Sequence, residues 1–207
     1  MKRYSYVIEI WLILFLATAA LVAVAFARID LPTASHFWRF GRFLHPLDKA
    51  LGSRIILSIE SALVVALVLA RLVRGHISRF GETLAIACLA SICTYAINSE
   101  VLKVFFGVPN PMTVMHGARH AFNLWKGSEQ SSFPSGHMML AGSFAGVFMR
   151  LYRASRGPLA ALLLIAAGVL VAGDWHFVSD VIAGTFLGVT LGILAAEAWT
   201  AHSIRQV

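Results

Sequence analysis

Two polar residues near the start of the last apolar run have the types and spacing of a catalytic pair. His176 and Asp180 stand four positions apart in "AGDWHFVSDVIAG", so in a helix they share one face. A carboxylate at that spacing accepts from one ring nitrogen, fixes the tautomer and leaves the other nitrogen as a nucleophile or base. The same spacing is also typical of a satisfied structural pair, so the motif alone leaves both interpretations open.

A second motif, "SSFPSGHMM", precedes the fourth apolar run and predicts the start of a helix. Pro134 suits the first turn of a helix, where its missing N–H is not needed. The N–H groups of Ser135 and Gly136 would then point outward, and helix starts of this kind bind phosphate. His137 would be held in the first turn, beside the anion. A capped helix with a histidine at the membrane interface is the alternative interpretation.

A third set of polar residues ends the third apolar run, in "AINSEVLKVFFG". Lys103 is either a snorkelling cation paired with Glu100 or a functional group, because ionisable residues inside membranes are generally functional. Glu60, near the outer end of the second run, is expected at a similar depth. There it would pair with Lys103 or line a cavity.

Together these three places would supply a cation, a phosphate-binding helix start, an acid and an oriented histidine. That combination suits phosphoryl transfer, in which His176 attacks phosphorus in line and His137 protonates the leaving oxygen. Lys103 and the backbone N–H groups would stabilise the equatorial oxygens. The His, Cys and carboxylate residues have no convincing metal-ligand spacing. The sequence therefore predicts a phosphohistidine mechanism with no metal and no cofactor.

The elements that must position these residues are membrane helices. Of the 207 residues, 58% are hydrophobic and 13% are charged, and the mean hydropathy is +0.77, values that exclude a soluble globular domain. We predict an all-α, polytopic membrane protein with six transmembrane helices in one bundle and a single domain over residues 1–207. The expected spans are residues 6–28, 55–73, 82–104, 135–152, 158–173 and 177–199.

Two long connections carry most of the remaining polar residues. The first, "IDLPTASHFWRFGRFLHPLDKALGSR", mixes aromatic and basic residues and predicts an interfacial segment between helices 1 and 2. The second covers residues 105–134, and long loops in compact proteins are often functional. The candidate functional side chains in this second loop are Asn110, His116, Arg119 and His120.

The distribution of basic residues predicts the orientation in the membrane. Six spans place both termini on one side together with two short, arginine-rich loops, so this side is expected to be cytoplasmic. The long loops and the candidate site then face outward. The formal net charge of +7 favours contact with anionic phospholipids, and no nucleic-acid-binding module is recognisable. The glycine-rich stretch "AGTFLGVTLG" permits close helix packing within one chain or between chains, so the oligomeric state stays open.

The motifs, their order and the number of spans resemble the type-2 phosphatidic acid phosphatase superfamily of integral membrane lipid phosphatases. That family carries Lys-x6-Arg-Pro, Pro-Ser-Gly-His and Ser-Arg-x5-His-x3-Asp. The second motif is complete here, the third keeps His176 and Asp180, and the first keeps Lys103 and Pro111. The resemblance covers a motif-bearing core of residues 82–199.

The resemblance implies a role for each matching residue. His176 would be the nucleophile, Asp180 the residue that orients it, and His137 the general acid and later the base for water. The phosphate would be bound by Lys103, Ser135 and Gly136.

The chain departs from the family at both motif arginines. Asn110 stands in place of the first, and Val169 and Leu170 replace the Ser-Arg pair. One hypothesis is that another cation substitutes, with Arg119 the nearest candidate. A second is a substrate of lower charge, such as a diester, which would make the protein a lipid headgroup phosphotransferase with a lipid or glycan acceptor. A third is a non-catalytic lipid-phosphate-binding membrane protein. The supporting polar residues expected nearby are Asn110, Glu100, His116 and His120.

The site and the resemblance together predict a metal-independent phosphatase or phosphotransferase. Its substrate would be a lipid phosphate or polyprenyl diphosphate, whose chain would enter laterally between helices. Family habit and the small size of the chain favour the bacterial inner membrane. In that setting the active site would face the periplasm and the termini would be cytoplasmic.

Overall fold

The computed structural model describes residues 2–38 and 52–204, and the secondary structure within them is helical, without strands. The α-helices are α1 (Lys2–Val24), α2 (Asp30–Phe37), α3 (Ser53–Arg74), α4 (Arg79–Ile97), α5 (Lys103–Phe106), α6 (Pro111–Met115), α7 (Gly136–Leu151), α8 (Arg156–Ala172) and α9 (Val178–Ile204). Two π-helical turns, Ala25–Ile29 and Asn98–Leu102, join α1 to α2 and α4 to α5. The all-α prediction is confirmed for these residues.

Five helical stretches in the described part of the chain are long and apolar enough to cross a membrane. They are Ile8–Phe37, Ser53–Arg74, Arg79–Met115, Arg153–Ala172 and Val178–His202. Only 6% of the most apolar window in each of the first two stretches is buried inside the protein. An apolar surface of this extent needs lipid around it, so the chain is a membrane protein. Helix α7 has 16 residues, fewer than the roughly 20 that a span needs. The sixth span therefore stays a prediction.

The first helix is longer than the predicted span of residues 6–28. It continues through a π-helical turn into α2, which ends at Phe37. The π turn lies just before Pro32, a residue that cannot donate to the carbonyl four positions earlier. Asp30, the first charged residue of the predicted connection after Arg28, is buried at a contact with another helix. Residues 39–51 of the predicted interfacial segment lie outside the described residues, so that segment also stays a prediction.

Helices α7 and α9 form the most extensive helix pair and lie against each other with little side-chain volume between them. A Cβ added at Gly192 would lie 2.1 Å from the Ser143 carbonyl oxygen, and one at Gly188 would lie 2.6 Å from that of Met139. Gly184 continues the same face one turn earlier. Small residues at this spacing let backbones approach closely. This contact holds the starts of α7 and α9 side by side, where the candidate histidines lie.

Candidate active site

A cavity of about 750 Å³ lies where the starts of α3 and α7 meet α5 and the segment before α9. Four residues selected from the sequence line it: Lys103, Asn110, His137 and His176. They come from distant parts of the chain, so the fold brings three separate polar motifs around one space. We call this space the histidine cavity.

The two candidate histidines lie next to each other. The ring centroids of His137 and His176 are 5.8 Å apart, with the ring planes at 71°. His137 lies in the first turn of α7 and is half-buried. His176 is buried and precedes α9, which begins at Val178, so it lies just outside the helix in which its motif was expected. A phosphoryl group in the cavity could contact both rings.

Asp180 lies behind His176 on the side away from the cavity lining. Its Oδ2 atom is 3.4 Å from Nδ1 of His176, and its side chain is fully buried. The backbone N–H of Phe177 donates to the same oxygen at 2.8 Å, which fixes the carboxylate in place. The turn before α9 therefore keeps the pairing that the four-residue spacing predicts, although His176 is not helical.

The start of α7 is tied down by tertiary contacts. The Ser135 hydroxyl accepts from the Met138 N–H at 3.4 Å and caps the helix. The backbone N–H of Ser135 donates to the Asp180 carbonyl at 3.1 Å. The expectation that this N–H points outward to a phosphate is wrong, because α9 uses it. Ser135 and Gly136 are both buried, and an added Cβ at Gly136 would lie 3.0 Å from Nδ2 of Asn98. At Gly136, α7 therefore packs closely against the side chains of Tyr95 and Asn98.

Lys103 reaches the cavity from α5 with its ammonium group already positioned. Its Nζ donates to the backbone carbonyl of Glu129 at 2.8 Å. Two ammonium protons remain for a ligand in the cavity. Glu100, its suggested partner, is exposed and does not line the cavity. Lys103 is therefore positioned by the Glu129 carbonyl and not by an ion pair with Glu100.

A buried polar network, which no sequence motif indicates, lies behind Asp180. The Asp30 carboxylate accepts from the backbone N–H of Ser179 at 3.0 Å and from its hydroxyl at 2.5 Å. Nε2 of His120 lies 3.5 Å from the same carboxylate, and its ring stacks on Phe26 with centroids 4.0 Å apart. His120 thus links the first helix and the long loop to the start of α9, and does not line the histidine cavity.

The part of the chain that carries these motifs also matches a known protein family. A model of the PAP2 superfamily matches residues 83–203, more than half of the sequence. The chain belongs to the PAP2 superfamily. This confirms the resemblance to the type-2 phosphatidic acid phosphatases drawn from the motifs, and it implies phosphatase or phosphotransferase chemistry on lipid-like phosphates. No curated protein and no solved structure gives a match.

The residues that stand in place of the two PAP2 motif arginines have structural roles in this chain. Leu170 is buried in an apolar cluster with Met138 and Leu163. Asn110 lines the cavity but caps α6, where its Oδ1 accepts from both the N–H and the hydroxyl of Thr113 at 2.8 Å. Its Nδ2 has a longer contact of 3.4 Å to the Gln130 carbonyl. Neither position supplies a cation to the PAP2 site.

The cation suggested as a substitute does not lie beside the PAP2 histidines. Arg119 is exposed and does not line the histidine cavity. His116 is also exposed, with Nδ1 2.7 Å from the Met112 carbonyl oxygen. Among the described residues, the arginine that lines the cavity is Arg54, at the start of α3. The sequence signal for it was a basic residue at the outer end of the second span, outside every motif.

Acidic groups also contribute to the lining of the PAP2 cavity. Glu129 lies in the loop before α7, and Asp174 lies two positions before His176. Asp174 is buried and has a left-handed φ of 56°, a conformation that Asp tolerates better than most residues. Within the part of the chain that is described, no group of three or more His, Cys, Asp or Glu side chains could hold a metal ion. Metal independence stays a prediction.

Proposed function

We propose that this chain is a membrane enzyme that hydrolyses a lipid phosphate through a phosphohistidine intermediate. The observation that carries the proposal is the pair His137 and His176, with ring centroids 5.8 Å apart in one cavity and Asp180 behind His176. Two-step transfer needs an oriented nucleophile and a second group that handles the proton of the leaving oxygen. Membership of the PAP2 superfamily supports the same reaction class.

In the first step, Nε2 of His176 attacks the phosphorus atom of the substrate. The N–P bond forms as the P–O bond to the lipid alcohol breaks, and His137 donates its proton to the departing oxygen. Asp180, which lies against Nδ1, holds the ring in the tautomer that leaves Nε2 as the nucleophile and stabilises the charge that develops on it.

In the second step, water attacks the phosphohistidine. His137, now neutral, takes a proton from the water, and the N–P bond breaks to release inorganic phosphate and restore His176. Lys103 is positioned to stabilise the equatorial oxygens in both steps. Arg54 lines the cavity, and we infer that it takes part in binding the phosphate in place of the missing motif arginines.

The substrate class is a membrane lipid phosphate or a polyprenyl diphosphate. Its hydrocarbon chain stays in the bilayer while its phosphate enters a cavity formed at one end of the helices. The proposed location is the bacterial inner membrane, with the active site on the periplasmic side and the termini in the cytoplasm. Five apolar helical stretches in the described residues, including the lipid-facing α1 and α3, support a multi-pass membrane location.

The test is release of inorganic phosphate by the purified protein in detergent. Phosphatidic acid, phosphatidylglycerophosphate and undecaprenyl diphosphate are supplied separately, with and without EDTA. We expect release from at least one of them in EDTA, and none from His176→Ala. Full activity of His176→Ala would refute the phosphohistidine mechanism, and activity only after addition of a metal would refute metal independence.

A second candidate function is transfer of a lipid headgroup from a phosphodiester donor. The observation that favours it is the lining of the cavity, where Glu129 and Asp174 stand in a space that lacks both motif arginines. Such a lining suits a phosphate of lower negative charge. A transferase would need an acceptor lipid or glycan and would release little free phosphate. Binding of lipid phosphate with no turnover of any donor would indicate the third function, a non-catalytic binding protein.

A further inference from the structure

Glu60 is a buried carboxyl group that the proposed reaction does not use. It is 5% exposed and lies about two turns into α3, on a core-facing side that is otherwise apolar. Its Oε2 atom has no hydrogen-bond partner among the described residues. The Ser91 side chain hydrogen-bonds the carboxyl group, and its hydroxyl also lies 3.1 Å from the Leu140 carbonyl oxygen, so Oε2 is the carboxyl oxygen that is left without a partner. Since a buried carboxyl oxygen without a hydrogen-bond partner is costly, Oε2 is suited to meet a group that the protein itself does not supply.

The same carboxyl group lines a cavity of about 400 Å³ between α3, α7 and α8. Every other residue of the lining is apolar, including Ile56, Leu140, Phe144 and Leu163. We call this space the Glu60 cavity. Its shape and chemistry suit a hydrocarbon chain with a single hydrogen-bonding group.

The Glu60 cavity is lined by residues that neighbour those of the histidine cavity along two helices. On α3, Ile55 lines the histidine cavity and Ile56 lines the Glu60 cavity. On α7, His137 lines the first and Leu140, less than one turn further, lines the second. At 1.5 Å per residue, Glu60 lies about 9 Å along α3 from Arg54. A ligand whose phosphate is at the histidines would therefore place the first part of its chain at Glu60.

We propose that the Glu60 cavity binds the backbone and first chain segment of the substrate lipid, and that Glu60 hydrogen-bonds a polar group of that backbone. This inference rests on the proposed function and narrows its substrate. A carboxylic acid donates to an ester or amide carbonyl, and a carboxylate accepts from an amide N–H or a hydroxyl. Glycerolipid and sphingoid phosphates carry such groups a few bonds from the phosphate. A polyprenyl chain carries none, so polyprenyl phosphates are the poorer substrates.

The first test uses the wild-type protein with four short-chain phosphates in the same mixed micelles. They are dioctanoyl phosphatidic acid, its diether analogue, a short-chain ceramide 1-phosphate and farnesyl phosphate. We expect kcat/KM for phosphatidic acid or ceramide phosphate to exceed that for the diether and farnesyl compounds by about tenfold, the effect of one buried hydrogen bond. The preferred member of the first pair tells a glycerol ester from a sphingoid amide. Equal rates with all four compounds, or a preference for farnesyl phosphate, would overturn the proposal.

The second test assigns the preference to Glu60. In Glu60→Leu, the ratio of kcat/KM for the preferred lipid to that for farnesyl phosphate should fall about tenfold, whereas Glu60→Gln, which keeps a donor and an acceptor, should hold the ratio within about threefold. Ser58→Ala, on the exposed side of the same helix, should change neither rate. A ratio unchanged in Glu60→Leu would overturn the assignment. Because the readout is a ratio, a general loss of folded protein does not alter it.

The outcome separates this inference from the proposed function. If the wild-type protein releases phosphate from none of the four compounds and from neither phosphatidylglycerophosphate nor undecaprenyl diphosphate, or if His176→Ala retains release, the proposed function fails. Release from undecaprenyl diphosphate alone would leave the proposed function standing and overturn the Glu60 proposal. If His176→Ala is inactive and the substrate ratio does not depend on Glu60, only the Glu60 proposal fails.

Discussion

The carboxylate of Asp30 accepts hydrogen bonds from the backbone N–H and the hydroxyl of Ser179. The two residues are 149 positions apart in the chain. The contact joins the first helix to the first turn of α9, directly beside Asp180. His120 adds a third contact to the same carboxylate from the long loop. Because all of these groups are buried, the start of α9 is held from the side opposite the histidine cavity. The position of His176 therefore depends on a helix outside the region that the family model matches.

Asp30→Ala tests this dependence. It leaves the Ser179 N–H and hydroxyl buried without an acceptor, and we expect a loss of about 1–3 kcal/mol in the free energy of unfolding. Thermal unfolding in detergent should show a Tm lower by several degrees. The matched control is Ser35→Ala, an exposed position on the same helix, which should leave Tm nearly unchanged. Equal Tm values for the two variants would contradict the structural role of Asp30.

Gly192→Ala tests the close contact between α7 and α9. The new Cβ would meet the Ser143 carbonyl oxygen at 2.1 Å, and backbone cannot move aside as a flexible side chain could. The helices must separate, at a cost of about 1–3 kcal/mol. Gly168→Ala in α8 is the control, because an added Cβ there meets no atom within 4 Å. It should be neutral or slightly stabilising, since alanine favours a helix over glycine. If the two variants unfold at the same temperature, the packing argument is wrong.

The parts of the site that depend on local chain geometry could be predicted from the sequence. The pairing of His176 with Asp180 and the helix start at Ser135 and Gly136 follow from spacing and capping rules, and both are present. The predicted bounds of the last five spans agree with the helices to within a few residues. These features depend on residue spacing and on the length of apolar runs, which can be read directly from the sequence.

Features that depend on tertiary contacts could not be predicted in the same way. The Asp180 carbonyl takes the Ser135 N–H, which turns an expected phosphate ligand into a helix–helix contact. Arg54 comes beside the histidines only because α3 begins next to α7, and no local pattern marks it. Arg119 stands nearer to the motifs in sequence and yet lies outside the cavity. Proximity along the chain was a poor guide to which cation lines the site.

Three alanine variants can show which cationic side chains bind the phosphate. Lys103→Ala and Arg54→Ala each remove a charged donor from the lining of the histidine cavity, and each should lower kcat/KM by about 10-fold or more, since such bonds contribute about 1.5–3 kcal/mol. Arg119→Ala should change kcat/KM by less than about threefold, because its side chain is exposed outside the cavity. Phosphate release under subsaturating lipid gives these values. A loss confined to Arg119→Ala would return the role to the long loop and refute the choice of Arg54.

The proton-transfer role of His137 can be separated from a structural role by varying the leaving group. A lipid alcohol departs poorly without a proton, so His137→Ala should slow its release by about 10²–10⁴-fold. Nitrophenolate departs without protonation, so release of nitrophenol from p-nitrophenyl phosphate should show a burst that is much less affected. Hydrolysis of the intermediate also needs the base, and an acid-labile phosphate should accumulate on His176 of the variant. The control is His116→Ala, which removes an exposed histidine outside the cavity and should retain both activities. Equal loss with the two substrates, with no covalent phosphate, would mean that His137 acts only in holding the fold.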